Sequence, residues 1–478
     1  MPSNKKMIVQ IATLLFAFLA FVFAVRAETQ SLETLLAYLK SPNPGTRQDA
    51  AHKLGERRVR NQLAVEALAV AARKDDDHAV RAEALQSLGM IKDFAALPEM
   101  IDALKDQNAD VRRIAVRSLV ALYTEHDIDF ITNRRAGWSL FNPFLDTSDH
   151  EIVEPYVTVD PVIVTAIGET ARGDREREVR ISAVRAAGVL RGVGAIPHLA
   201  DALNADQDMR MEVLRAFIKI GDQSAGPHLL PFFRDSDHKV RTQAMVAAGM
   251  LKYKPAVDPL LSVYGLGPEK KGTLKKVGER VRGGLSYLPA RDEAALWALS
   301  LIGDDKAEQT FVENMTDNDA DRRQYAIEGL ARIADPRYTD QISRLVLTEK
   351  NNDVKLAEYW ALYRMGSTSN IQFVVRKLET DQDDQARGYL METTTPADLF
   401  PYIRSSSKEV RQKVIEILGR IGDQETIKEL EPVVRTSSAS TADTATVAIK
   451  RIEWRISGRP RASDSVLQRE RPRRATNP

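Results

Sequence analysis

From residue 44 onward the chain repeats one pattern, and no other property limits its fold as strongly. With Val80 as position zero, the run Val80-Arg81-Ala82-Glu83-Ala84-Leu85-Gln86-Ser87-Leu88-Gly89-Met90-Ile91 sets the frame. It returns at Val111-Arg112, Val179-Arg180, Met209-Arg210, Val240-Arg241, Val354-Lys355 and Val410-Arg411. Weaker copies begin at Thr46-Arg47, Arg291-Asp292 and Arg322-Arg323, with a last one near Ala442. Positions 0, +4, +5, +8 and +11 are apolar, as in Val410, Val414, Ile415, Leu418 and Ile421. That spacing is one face of an α-helix. Gly221, Gly303 and Gly422 follow the last apolar residue, where a left-handed cap is expected. A second apolar helix comes next, as in Ala96 to Leu104, with Pro98 in its first turn, where a missing N–H is tolerated. Each unit is a two-helix hairpin whose apolar side is buried only by stacking on its neighbours.

The pattern Asp-x4-Val-Arg-x2-Ala-x3-Leu-Gly-x-Ile-Gly followed by a Pro-containing helix resembles a HEAT repeat, of the bacterial variety also found in phycobilin lyases. The resemblance covers about residues 44–456. It implies an all-α, right-handed superhelical solenoid with an armadillo-like fold. It says little about activity, since HEAT arrays serve as scaffolds, adaptors, lyases, hydroxylases and glycosylases. An acid also recurs five residues before position zero, at Asp75, Asp106, Asp174, Asp235 and Asp317. With Arg81, Arg112, Arg180, Arg241 and Arg323 these form either a binding stripe or the inter-repeat ladder typical of such arrays; the ladder is the expectation.

Composition narrows the chemistry. With no cysteine, structural disulfides, thiolate catalysis and Cys-ligated metals are excluded. A formal charge of +1 over 478 residues opposes a chain-wide nucleic-acid surface. Lys5 and Lys6, the apolar run Met7–Val25 and the small residues Val25 and Ala27 read as an export signal cut after Ala27. The same run is long enough to act as an uncleaved membrane tether through 7–25. Either reading puts the body outside the cytoplasm of a bacterial cell, periplasmic or secreted, or anchored to the inner membrane. The domain expectation is therefore a leader or anchor at 1–27, a solenoid at 28–456 and a disordered basic tail at 457–478, rich in Arg and Pro.

The frame breaks three times. Insertions near 123–165 and 264–290 are candidate binding loops, since insertions in repeat proteins map to loops on one face. The first holds Trp138, Phe141 and Phe144 beside Arg134 and Arg135, either partner anchors or a plug over a repeat edge. The second carries six bases against Glu269 and Glu279 within 269–282. Together with the C-terminal tail it offers contact to an anionic surface, or it is a solvated basic loop. The third, around Thr393 to Pro396 and Ser405 to Ser407, looks like a shortened repeat.

At position +6 most copies are polar, which makes Trp297 and Trp360 unusual; Tyr325 lies between them at +3, and Arg332 and Arg364 occupy +10. In HEAT-like arrays this helix lines the concave side, so Trp297, Tyr325, Trp360, Arg332 and Arg364 form a candidate protein or peptide site. The competing reading has them thickening an inter-repeat contact. No cofactor or metal is expected. The one His-Glu dipeptide, His150-Glu151, falls short of the paired motifs of HEAT-like hydroxylases. No bilin-directed residues transfer from the lyases. Gly-x-Ser-x-Gly, His-Glu-x-x-His and Walker motifs are absent. The expectation is a non-catalytic scaffold or adaptor that binds a protein partner and no nucleic acid, with an enzyme in an array or a structural envelope protein as alternatives.

Overall fold

A computed structural model describes residues 30–124, 152–267, 290–393 and 395–457. The leader at 1–27, Trp138, Phe141, Phe144, His150, Glu151, the basic stretch 269–282 and the tail 458–478 lie outside the described residues. No described helix is long and apolar enough to cross a membrane. The described residues contain helices and no strand, so the all-α expectation holds. The chain divides into two compact units, Met1–Leu122 and Tyr123–Pro478.

In the first unit the frame helices Pro44–Glu56, His78–Ile91 and Ala109–Ala121 pack side by side. Gln62–Lys74 and Leu97–Asp102 form a second layer against each other and against their frame helices. The apolar stripe read from sequence is the seam between layers: Val80, Ala84, Leu85, Leu88 and Ile91 are all buried. Hairpins stack because each stripe is too wide for its own partner to cover.

The second unit continues the scheme with frame helices Arg177–Val189, Arg210–Ile220, His238–Met250, Arg291–Ile302, Ala320–Ile333, Asn352–Arg364, Asp383–Met391, Lys408–Ile421 and Ala439–Ser457, each touching the next. His238–Met250 packs directly on Arg291–Ile302, so the 264–290 insertion leaves the stack unbroken. The third break is a shortened repeat whose frame helix is the nine-residue Asp383–Met391. Gly221 and Gly303 close their helices in the left-handed region with φ of 71° and 64°. Gly422 departs from the expected cap: its φ is −65°, because the chain turns at once into the Asp423–Thr426 capping box.

Three residue types hold the frame in register. At −3 the helix is capped by Asn43, Asp77, Asn108, Asp237, Asp319, Asn351 or Ser407, each accepting a backbone N–H of the first turn. At +1 the arginine reaches back to the carbonyls at −5 and −4, as Arg81 does to Asp75 and Asp76 at 2.8 and 3.2 Å. It also reaches forward to the acid of the next repeat. Arg47 grips Asp75 through two bonds of 2.7 Å, Arg81 grips Asp106 at 2.8 and 3.0 Å, and Arg323 grips Glu349 at 2.9 and 3.1 Å. Single bonds join Arg180 to Asp206 and Arg210 to Asp235. The Asp–Arg series is therefore a structural ladder. Burial pushes the Asp75 and Asp106 carboxyls up, but the arginine and backbone N–H bonds outweigh it and hold both below the usual range.

Candidate interaction site

Position +6 of one frame helix faces position +3 of the next. In two copies the facing polar residues pair: His52 with Glu83 at 2.9 Å, and Arg185 with Glu212 through bonds of 2.8 and 2.9 Å. Trp297 and Tyr325 are the aromatic version of the same rung, stacked with ring centroids 5.8 Å apart and planes 16° apart. Both residues stay half-buried. Neighbouring helices run side by side at a separation that lets two side chains meet across the gap, whatever their chemistry.

Trp360 does not share this face. It is 1% exposed, stacked on Tyr389 at 4.3 Å with planes 3° apart, and the Arg332 guanidinium lies 5.1 Å from its ring centre. The expectation that Trp360 stands in an open groove is corrected, because the shortened repeat brings Asp383–Met391 over it. Polar +6 residues in other copies suggest solvent, yet His52 and Arg185 there pair with the next repeat.

Arg332 is also interior. Its Nε and Nη2 donate to Glu392 at 3.1 and 2.8 Å, and its Nη1 donates to the Ser300 carbonyl at 3.0 Å. Glu328 accepts from the Tyr389 hydroxyl at 2.6 Å and from Gln324 at 2.8 Å. Arg364 donates to the carbonyls of Glu392 and Ala331 at 2.9 and 3.3 Å. Both arginines thus sit on carbonyls near helix C-termini, where a cation satisfies orphan acceptors and suits the helix dipole. Burial would lower the Arg332 pKa, but Glu392 and Glu328 keep it raised; burial would raise Glu392, and Arg332, Lys252 and Arg364 hold it down. Tyr389 is pushed well above its ordinary value by burial and by Glu328. Of the five candidates on the described array, the structure brings Trp297 and Tyr325 together near solvent. It places Trp360 and Arg332 in a polar core between repeats, with the half-buried Arg364 at its edge.

Two features escape a reading of the sequence. Glu392 and Tyr389 belong to the shortened repeat, where no frame assigns them a partner. Glu358, 1% exposed, has a carboxylate oxygen without a hydrogen-bond partner among the described residues. Burial, with Glu349 adding to it, pushes this carboxyl up to about 8. Its position at +4, apolar in other copies, carries that signal. Among the described residues no group of three or more acids and histidines is arranged for a metal ion.

Comparison with known proteins places this geometry. The sequence profile of HEAT repeats matches residues 17–89, 32–121, 65–136 and 308–392. The chain is 23% identical over 262 residues to the phycocyanobilin lyase subunit alpha of Picosynechococcus sp., covering 53% of this chain and 88% of that protein. Among solved structures it is similar to an engineered protein at 17% identity, with 82% and 99% of the two chains covered and a TM-score of 0.38. It is also similar to the CpcE–CpcF complex of the phycocyanin lyase from Nostoc sp. PCC7120, at 20% identity, 70% and 94% coverage and a TM-score of 0.26. The expectation of a chain without enzymatic role is overturned by the first relative, which is a lyase subunit. The chain thus carries matches to HEAT repeats across residues 17–136 and 308–392, and it folds as an all-α solenoid.

Proposed function

We propose that this HEAT-repeat chain binds a protein partner, with the Trp297–Tyr325 pair as an anchor on the frame-helix face. The observation that carries the reading is the half-buried stack at a rung where another repeat places the Arg185–Glu212 ion pair. Two rigid aromatic rings, already ordered by stacking, offer contact area with little further loss of side-chain entropy. Trp360, Arg332 and Arg364 enter as the support behind that face. The test is in-cell cross-linking with the wild type and with Trp297→Ala/Tyr325→Ala. The expected result is loss of a defined cross-linked species, with the circular dichroism melt moved by no more than the loss of one rung. Unchanged cross-links in a folded double variant would sink the anchor.

A second reading, a lyase subunit that works with a bilin and a partner chain, is favoured by the lyase relative. On that reading phycocyanobilin added to the purified chain shifts its absorbance band at stoichiometric amounts. A spectrum equal to that of free pigment at all ratios rejects it.

A further inference from the structure

Residues 153–157, within the second unit, lie against its last helix. Val153 is buried, and its N–H donates to the Val189 carbonyl at 2.9 Å. Its own carbonyl accepts from Arg191 Nε at 3.0 Å. The next four residues, Glu154-Pro155-Tyr156-Val157, make a β-turn closed by the Val157 N–H donating to the Glu154 carbonyl at 3.0 Å. Proline at the second position of such a turn fixes φ in advance. The turn presents two side chains to the helix Ala439–Ser457. Glu154 pairs with Arg451 at 3.0 Å, both largely shielded. Tyr156 meets Trp454 edge-on, with ring centroids 6.5 Å apart. Arg451 and Trp454 are three residues apart, so they share one helix face. Around them stand Arg455, which donates to the Arg420 and Gly422 carbonyls, and Arg420.

The contact is incomplete. The Tyr156 hydroxyl and Arg451 Nε are buried without a hydrogen-bond partner among the described residues. A buried polar group left unpaired carries a desolvation penalty, so a segment that displaced the turn, returned the Tyr156 hydroxyl to water and offered Arg451 Nε an acceptor would replace it with a net gain. The rest of the interaction has the make-up of peptide recognition: a carboxylate on an arginine, an aromatic ring on a tryptophan, and a proline-fixed backbone.

We propose that the Glu154–Val157 turn is an internal occupant of a peptide-docking face on the C-terminal helix. The face takes a partner segment that presents a carboxylate followed two residues later by an aromatic ring. Bound in cis, the turn holds the face closed; a partner segment of the same chemistry displaces it. The inference stands on the C-terminal helix and does not rest on the Trp297–Tyr325 reading.

The test uses the full chain and a labelled synthetic peptide of residues 152–160, followed by fluorescence anisotropy. Because the tethered turn competes at a high effective concentration, the peptide should bind Glu154→Ala/Tyr156→Ala at least about tenfold more tightly than wild type. Adding Arg451→Glu should remove that binding, and a peptide with Lys in place of its Glu should restore it. Equal affinity for wild type and the folded double variant overturns the proposal, as does binding that ignores Arg451→Glu. If the double variant fails to fold, hydrogen exchange on the wild type decides. Faster exchange of the Val153 amide in excess peptide supports displacement, and an unchanged rate overturns it.

Discussion

Replacing Arg332 by alanine is expected to destabilise the Tyr123–Pro478 unit by about 3–5 kcal/mol, the range for removing one member of a buried ion pair. The loss is large because Arg332 is shared by several groups. It neutralises Glu392 and approaches Glu328 at 3.6 Å, caps the Ser300 carbonyl, and covers the Trp360 ring. Alanine leaves two acids in the interior, with Lys252 still 3.5 Å from Glu392 but half exposed and unable to reach the buried site as Arg332 does. Arg332→Lys retains charge but loses the two-pronged grip on Glu392, so it should fall between wild type and alanine. The pH dependence identifies the cause. In wild type Glu392 is held below its ordinary pKa, so its contribution is present above about pH 4.3 and is lost as pH falls through the folded value. In Arg332→Ala the buried Glu392 loses its main counter-charge and shifts upward instead, so the folded state binds more protons than the unfolded one and stability falls as pH rises. The gap between the two proteins should therefore be widest near pH 7 and narrow toward pH 4. Urea unfolding followed by tryptophan fluorescence at several pH values measures it; a gap independent of pH would assign the loss to packing over Trp360.

The contrast between this core and the ladder explains what can be read from the chain. The Asp75 and Arg81 series is legible because it recurs: a residue type held at one position through many copies must answer a geometry that also recurs. The apolar stripe is legible for the same reason. Trp360 misleads because its exposure is inferred from the average of other copies, whereas its burial depends on one shortened helix, Asp383–Met391. The Glu154–Arg451 contact joins residues far apart in the chain and in no common frame, so periodicity carries no information about it. Repeats reveal what neighbours do to each other. They are silent where the array deviates from itself, and the structural candidates for function lie in those places.

The frame makes one more position decisive, and its effect rivals that of Arg332. At +9, Gly55, Gly249 and Gly419 let the next frame helix approach to backbone contact. A Cβ built on Gly249 would stand 2.9 Å from Ala298 Cα and 3.0 Å from the Ala298 carbonyl oxygen. On Gly419 it would stand 2.9 Å from Ala448 Cα, and on Gly55 it would stand 2.7 Å from Ser87 Cα. The obstacle is main chain, which cannot rotate away as a side-chain tip would, so the helices must separate. Gly249→Ala gains helix propensity of about 1 kcal/mol, but forcing two packed helices apart costs about 1–3 kcal/mol and opens voids along the whole seam. The net effect is loss, and Gly249→Val adds bulk that no small shift accommodates. Gly173 is the control: it ends the helix Pro161–Gly173, and a methyl placed there would meet nothing within 4 Å, so Gly173→Ala should be neutral or mildly stabilising. Thermal melts of the three variants beside wild type check the ordering, with Gly249→Val lowest, Gly249→Ala next and Gly173→Ala at or above wild type. Equal midpoints for Gly249→Ala and Gly173→Ala would mean that the seam yields, and that propensity rather than close approach explains the glycine at +9.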